Sequence, residues 1–372
     1  MAFTIAIDTG PLKTQHKVRG VGEHTSELIE GLKKINSNEF DFNYVDFSKV
    51  DLNSYDLVHY QFFHPHRELL PKVFPRAKIL VTIHDLIPLI YPDRYPSGLF
   101  GKLTFYGQKQ RAKKADGIVT ISEASKKDIV RFLRVDPATV SVVHLAASQK
   151  YSHIEDNVLQ RVKNKFKLPN KFVLFVCDIN YNKNVVSLVR ACKELGVALV
   201  LVGKHVAEIE GMGLNLPRVE GPRDWIRFIF DIPHPELAHL RELLEEIESG
   251  KDIIRTGYVT EEEKYALYKL ATLYCHPSFY EGFSIPVVEA MSSGTPVICS
   301  RTQALVEVAG NGALFFDARL QDDLTDKLKK VLASETILKK LKDAGLAQAK
   351  QYSWNKTARE TFGVYEKILQ GI

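Results

Sequence analysis

Residues 276–300 read HPSFYEGFSIPVVEAMSSGTPVICS. The stretch opens by closing an apolar run of strand length, TLYCHP (272–277). A loop follows, FYEGFS (279–284), carrying Glu281 and Gly282. A helix is expected from Ile285, with Pro286 in its first turn, where no amide donor is needed. Ser284 is placed to cap that helix and Gly294 to end it. A second apolar run, PVICS (296–300), completes the unit. Strand, short loop, helix and strand form the repeating piece of a parallel sheet covered on both faces.

The same alternation runs through the chain. In the first half the strand candidates are FTIAID (3–8), FNYVDF (42–47), DLVHY (56–60), KILVTI (78–83), GIVTI (117–121) and VSVVH (140–144). A helical stripe of Leu28, Ile29, Leu32 and Ile35 lies within 22–35. Residues 150–170 are polar, basic and contain a proline, as a linker would. A second series then starts with KFVLFVC (171–177), VALVLVG (197–203) and DIIRTGYV (252–259), and ends with ALFF (313–316). Thr260 and Glu263 have capping-box spacing for a helix over 261–270. Three helical stretches close the chain, at about 321–333, 335–350 and 353–370. Residues 204–251 are long for one connection; they hold WIRFIF (225–230) and a Glu-rich helix near 235–248. Two doubly wound α/β halves are therefore expected. Ligands of such folds bind at the carboxyl ends of strands, and the expected cleft lies between the halves.

Length and composition agree. The chain has 372 residues, 45% apolar and 26% charged, which suits two globular domains and excludes a disordered or fibrous chain. No apolar run reaches the roughly 18 residues of a membrane span. MAFTIAIDTG reads as a first strand, not a signal peptide, so an intracellular, cytoplasmic protein is expected. Cys177, Cys192, Cys275 and Cys299 lack zinc-site spacing and read as reduced thiols in strands. The net charge of +5 divides into +7 for residues 1–168 and −2 for the remainder.

The 276–300 stretch also carries chemistry. Amides at the start of the helix, around Phe283, Ser284 and Ile285, form a ready anion site suited to phosphate. Gly282 lets a ligand approach the backbone. Glu281 and Glu289, eight residues apart, flank that site and can grip hydroxyls on either side of a diphosphate. Glu281 precedes the helix and Glu289 lies two turns on. They suit different parts of one extended ligand better than a glycosidase acid and nucleophile.

The stretch resembles the E-x7-E signature of retaining nucleotide-sugar glycosyltransferases of the GT-B fold, family 4 (glycosyl transferases group 1). The likeness runs almost without a gap over 253–318 and reaches the first half through TIHDLIP (82–88), ADGIVTISEASKKDI (115–129) and RGVGEHTSELIEGL (19–32). It implies a GT-B fold, two Rossmann-like domains facing a central cleft. The acceptor domain would span 1–167, joined by the C-terminal helix 353–372, and the donor domain 168–352. It implies that Glu289 binds the ribose and Glu281 the donor sugar, with Gly282, Phe283, Ser284 and Ile285 cradling sugar and phosphate. Gly20 and Gly22 match the loop that approaches the diphosphate, although Thr25 departs from a dinucleotide fingerprint. His84 matches the histidine near the reacting sugar, and Lys183 the lysine that pairs with the leaving diphosphate. One departure stands out. The family carries an arginine five residues before that lysine, where this chain has Asp178. Asp178 would repel phosphate, position Lys183 or bond a sugar hydroxyl.

The implied activity is transfer of a hexose, mannose favoured, from a GDP- or UDP-hexose to a hydroxyl of a glycan or lipid-linked acceptor. No metal or other cofactor is expected. Two alternatives stay open: a nucleotide-sugar-binding protein without transferase activity, and a nucleotide-sugar epimerase on a similar scaffold. Residues 102–134 hold nine basic residues against Asp116, Glu123 and Asp128, preceded by Phe100 and joined by Leu103, Phe105 and Tyr106. This suits peripheral contact through 100–134 with an anionic membrane, or a solvated basic face over an ordinary core stripe. No nucleic-acid-binding motif accompanies it.

Overall fold

The computed structural model describes residues 2–13, 20–35, 37–148, 150, 154–212, 235–250 and 252–371. WIRFIF (225–230) lies outside the described residues. The chain divides into two compact units. The first comprises Met1–Pro92, Ser97–Ala146 and Tyr352–Ile372; the second comprises Asp93–Pro96 and Ala147–Gln351.

Each unit is built on a six-stranded sheet whose ladders are all parallel. In the first unit the strands are β1 (Phe3–Asp8), β2 (Phe40–Val45), β3 (Leu57–Tyr60), β4 (Lys78–Thr82), β5 (Gly117–Thr120) and β6 (Val140–Val142), in the order β2-β1-β3-β4-β5-β6. In the second they are β7 (Val173–Val176), β8 (Leu199–Val202), β9 (Ile253–Gly257), β10 (Leu273–His276), β11 (Val297–Ser300) and β12 (Leu314–Phe316), in the order β12-β11-β10-β7-β8-β9. All twelve strand candidates are thus present, most trimmed by a residue or two. Strand order reverses between β1 and β3 in one sheet and between β7 and β10 in the other. Helices on either side of such a point leave a crevice at the carboxyl ends, where α/β folds bind ligands.

The pleat sorts each strand's side chains. In the first unit Ile5, Ile7, Leu57, Leu80 and Val119 face the helices Gly20–Leu32 and Trp354–Gln370. Ala6, Val58, Tyr60, Ile79, Val81 and Ile83 face the opposite layer. The closing helix Trp354–Gln370 belongs to the first unit, and Tyr365 is fully buried there. Its hydroxyl lies 2.8 Å from Nδ1 of His59, whose Nε2 lies 2.8 Å from Oγ1 of Thr82.

Several expectations need correcting. The stretch 150–170 is not a plain linker. It contains the helix Asp156–Lys165, whose Val158 and Val162 are buried. Arg161 reaches Glu262, and Lys165 reaches Glu263 at 2.6 Å. The N-terminal part of the first unit accordingly ends at Ala146, not 167, because an apolar stripe and basic residues on that helix find partners in the second unit. Cys192 is buried in the helix Val185–Leu195, not in a strand. Ser284 starts the helix Ile285–Ser292 but makes no side-chain cap. The capping box at Thr260 and Glu263 is formed, and the helix Pro235–Glu248 lies where the Glu-rich segment was expected.

Helix Gly20–Leu32 meets the closing helix at very short range. A Cβ added at Gly31 would lie 2.7 Å from Cβ of Ala358 and 3.3 Å from the Trp354 carbonyl oxygen. Gly31→Val therefore forces the two helices apart. A loss of about 1–3 kcal/mol is expected, read as a lower denaturant midpoint at unchanged m-value; an unchanged midpoint would contradict this packing.

Candidate functional site

The strand reversal in the second sheet brings two loops together. After β7 the chain runs through Asp178 to a single turn at Tyr181–Lys183 and then into the helix Val185–Leu195. After β10 it runs through Ser278 and Glu281 into the helix Ile285–Ser292. Two asparagines pin these loops. Asn182 donates to the Tyr280 carbonyl oxygen at 3.1 Å, and Asn184, at φ 51°, donates to the Pro277 carbonyl oxygen at 3.2 Å.

Lys183 and Glu281 meet between them. The Lys183 Nζ lies 2.8 Å from Oε1 and 2.9 Å from Oε2 of Glu281. The two side chains are only 13% and 6% exposed. Oε1 also accepts from Ser278 Oγ at 2.6 Å and from His276 Nε2 at 2.8 Å. His276 is fully buried, and its Nδ1 lies 2.8 Å from the Tyr274 hydroxyl. An ionised carboxylate only accepts, so Nε2 carries the imidazole proton and Nδ1 accepts from Tyr274. A directional chain results: Tyr274 to His276 to Glu281, closed by Lys183.

The electrostatics follow. Burial pushes the Glu281 carboxyl up, but Lys183 and His276 outweigh it and hold the group at about 2. Burial would likewise lower Lys183, but Cys177 and Glu281 outweigh it and raise the ammonium above its ordinary value. Burial keeps His276 below its ordinary 6.5 against the pull of Glu281. At neutral pH the pair is one cation and one anion beside a neutral imidazole.

Ser284 adds strain. Its φ of +84° is unusual for a residue with a Cβ, and its hydroxyl lies 3.1 Å from His276 Nε2 instead of capping the helix. Such a conformation costs on the order of 1–3 kcal/mol and persists only where its surroundings impose it. Gly282, Phe283, Ser284 and Ile285 are all buried at this turn. Pro286 removes one first-turn donor without loss, and Val287 donates to the Ser284 carbonyl oxygen at 3.2 Å.

Glu289 sits deeper in the same helix, held by a separate set of groups. Lys264 Nζ lies 2.7 Å from Oε1, and the Tyr268 hydroxyl donates to Oε2 at 3.0 Å. Lys264 and Tyr268 come from the helix Glu261–Leu270. Glu281 and Glu289 thus belong to two distinct clusters. Asp178 is engaged by His205, whose Nδ1 lies 2.9 Å from its Oδ1.

The remaining sequence candidates lie in the first unit. Gly20 and Gly22 open the helix Gly20–Leu32 after β1. His84 follows β4, and its Nε2 lies 2.9 Å from Nδ1 of His24, about one turn into that helix. His24 was not anticipated. Burial and the neighbouring His84 and His59 hold its imidazole well below 6.5, and burial with His84 holds His59 at about 3. His276, Ser278, Tyr274 and Lys264 were also missed. A period-two signal existed, since Tyr274, His276 and Ser278 alternate along one face of β10 into its loop.

Residues 156–348 match the sequence profile of the family described as Glycosyl transferases group 1. The chain belongs to the group 1 glycosyltransferase family. Residues 47–147 match Glycosyltransferase Family 4. Among curated relatives, the serotype-specific mannosyltransferase WbdA of Escherichia coli is 26% identical over 83% of this chain and 36% of its own length. The chain therefore spans about a third of that relative. The O-antigen chain mannosyltransferase B of Escherichia coli is 27% identical over 82% of this chain and 74% of its own. Among solved structures, sucrose-phosphate synthase from Thermosynechococcus elongatus matches with a TM-score of 0.71 and 17% identity, covering 100% of both chains. The fold is the two-domain α/β GT-B fold expected from the sequence.

The buried histidines and the buried carboxylate set different acid limits. His59 falls from an ordinary 6.5 to about 3 on folding, so the unfolded chain binds its proton first. That contribution is full above 6.5 and is lost as pH falls toward 3. Glu281 falls from 4.5 to about 2, so its contribution is full above 4.5 and is lost toward 2. The denaturant midpoint of the first unit, followed by Trp354 fluorescence in a Trp225→Phe background, should drop between pH 7 and 5. A midpoint flat over that range would contradict neutral burial of these imidazoles.

Proposed function

We propose that this group 1 glycosyltransferase moves a hexosyl group, mannose favoured, from a nucleotide-diphosphate sugar to a hydroxyl of a glycan or lipid-linked acceptor, with retention at the anomeric carbon. The Lys183–Glu281–His276 cluster, beside the strained start of the helix Ile285–Ser292, carries this reading. The mannosyltransferase names of the relatives above support the choice of sugar.

The chemistry follows from the charges. As the bond from the anomeric carbon to the diphosphate breaks, negative charge gathers on the leaving oxygen. Lys183, held protonated by Glu281, and the helix-start amides meet that charge. A fixed cation and oriented dipoles supply what a metal ion would supply, so the step needs no metal. Glu281 at about 2 stays ionised. Such a carboxylate is a poor proton carrier at neutral pH, and its Oε1 is already saturated. Its role is to hold Lys183 and to accept a donor-sugar hydroxyl through Oε2. The acceptor oxygen attacks the anomeric carbon on the face the diphosphate leaves, and its proton passes to the departing phosphate oxygen. Glu289, buried against Lys264 and Tyr268, takes the ribose hydroxyls, the backbone from Gly282 to Ile285 cradles sugar and phosphate, and Asp178, tied to His205, leaves the phosphate to Lys183. In the first unit, Gly20, Gly22 and His84 serve the reacting end.

The first unit also presents a surface for the acceptor's carrier. On the helix Gly98–Ala112, Leu99, Phe100, Leu103 and Tyr106 are 71%, 84%, 63% and 66% exposed. Exposed Lys102, Lys113 and Lys114 accompany them, and Lys127, Arg131 and Arg134 are exposed on and just after the helix Glu123–Leu133. Apolar side chains standing in water among cations suit an anionic lipid surface. Among the described residues no helix is long and apolar enough to cross a membrane.

Two measurements test these readings. A thermal-shift screen of UDP-, GDP- and ADP-sugars, followed by product analysis, should find one donor that stabilises the chain and is consumed only with acceptor, with or without EDTA. Lys183→Met should then lower kcat by about 100- to 1,000-fold. Donor binding with neither transfer nor hydrolysis would mark a binding protein, and an altered free nucleotide sugar without acceptor an epimerase. Separately, vesicles containing phosphatidylglycerol should float the protein at low salt, and Phe100→Ser with Leu103→Ser should abolish flotation. No flotation of the wild type removes the membrane surface.

A further inference from the structure

The crevice of the first sheet holds a buried side chain that finds no hydrogen-bond partner among the described residues. Along β3 and its extension, Leu57, His59 and Gln61 share one face by the period of two. Leu80, Thr82 and His84 do the same along β4. Adjacent register pairs His59 with Leu80 and Tyr60 with Val81, so Gln61 falls beside Thr82 on the next rung. Each strand therefore passes from apolar to polar as it nears its carboxyl end. Nε2 of His59 and Oγ1 of Thr82 pair across adjacent rungs. Beyond them Nδ1 of His24 pairs with Nε2 of His84.

Gln61 does not share in this. It is fully buried, and neither its Nε2 nor its Oε1 has a hydrogen-bond partner among the described residues. A buried polar group left unpaired costs about 1–3 kcal/mol, and a carboxamide carries both a donor and an acceptor. It sits at the end of β3, on one side of the point where strand order reverses, with the helix Gly20–Leu32 after β1 on the other. That is where an α/β fold binds its ligand. We propose that Gln61 determines acceptor specificity in the first unit, its carboxamide donating to one hydroxyl and accepting from another on a neutral sugar.

This rests on the transferase reading above and names the chemistry of its acceptor. The neutrality comes from the surroundings. His24 is held uncharged by burial and by the neighbouring His84 and His59, and His59 by burial and His84. Among the described residues, Leu57, His59, Gln61, Leu80, Thr82 and His84 bring no lysine or arginine to this face. A hydroxyl, which donates and accepts at once, matches a carboxamide; a charged group would be buried there without compensation.

The test uses the full chain with its active nucleotide sugar and a panel of methyl hexosides, their single-deoxy analogues and hexose 6-phosphates. Wild-type enzyme should prefer methyl hexosides and lose about 10- to 100-fold in kcat/KM when one of two particular hydroxyls is removed. Gln61→Met should raise acceptor KM by a similar factor and no longer discriminate against those two deoxy analogues. Its donor-induced thermal shift should match wild type, and its stability should be equal or higher, since an unpaired amide is gone. A wild-type acceptor KM in a folded Gln61→Met, or a preference for the phosphorylated sugars, overturns the inference and leaves the transferase reading standing. If Gln61→Met fails to fold, the deoxy series on wild type decides, and a flat response overturns it. Absence of transfer by wild type from any nucleotide sugar overturns both.

Discussion

The buried ion pair between Lys183 and Glu281 governs the geometry of the second unit's site. Removing either charge from water costs several kcal/mol, and the attraction between them offsets that only when both are well bonded. Here both carboxylate oxygens reach the ammonium, and Ser278 and His276 fill the remaining capacity of Oε1. The pair ties the loop after β7 to the loop after β10, the two strands that flank the reversal of strand order. The backbone at Ser284 follows from this constraint. Its hydroxyl is drawn to His276, so the helix Ile285–Ser292 begins without a side-chain cap.

The two units place polar groups at the same topological position with opposite electrical character. The second unit holds a cation against an anion, Lys183 against Glu281. The first holds two imidazoles kept neutral by burial, His24 and His59, and a Gln61 carboxamide with no hydrogen-bond partner among the described residues. Net charge does not announce this division. The first half is the more basic, but exposed lysines and arginines on the helices Gly98–Ala112 and Glu123–Leu133 contribute much of that excess.

Much of the fold was legible because its signals are local. Apolar runs bounded by Gly, Pro and polar residues located all twelve strands. The Thr260–Glu263 spacing located a capping box that forms. Local reading failed where a partner lay far away. Residues 150–170 look like a linker until Val158 and Val162 find a neighbouring helix to cover them. Ser284 looks like a cap until His276 competes for its hydroxyl. His276 looks like an ordinary strand histidine until Glu281 folds back onto it.

The sequence by itself determined the alternation of strand and helix, the two series and the loop that bears Glu281, because propensity, pleat and turn chemistry act over a few residues. Only the tertiary structure decided which groups share a charge or a proton. Lys183 and Glu281 are 98 residues apart, His24 and His84 are 60 apart, and His59 and Tyr365 are 306 apart. Such pairings depend on strand order and on the packing of helices across each sheet. A single sequence carries no direct record of either, and burial then fixes the protonation states that the chemistry uses.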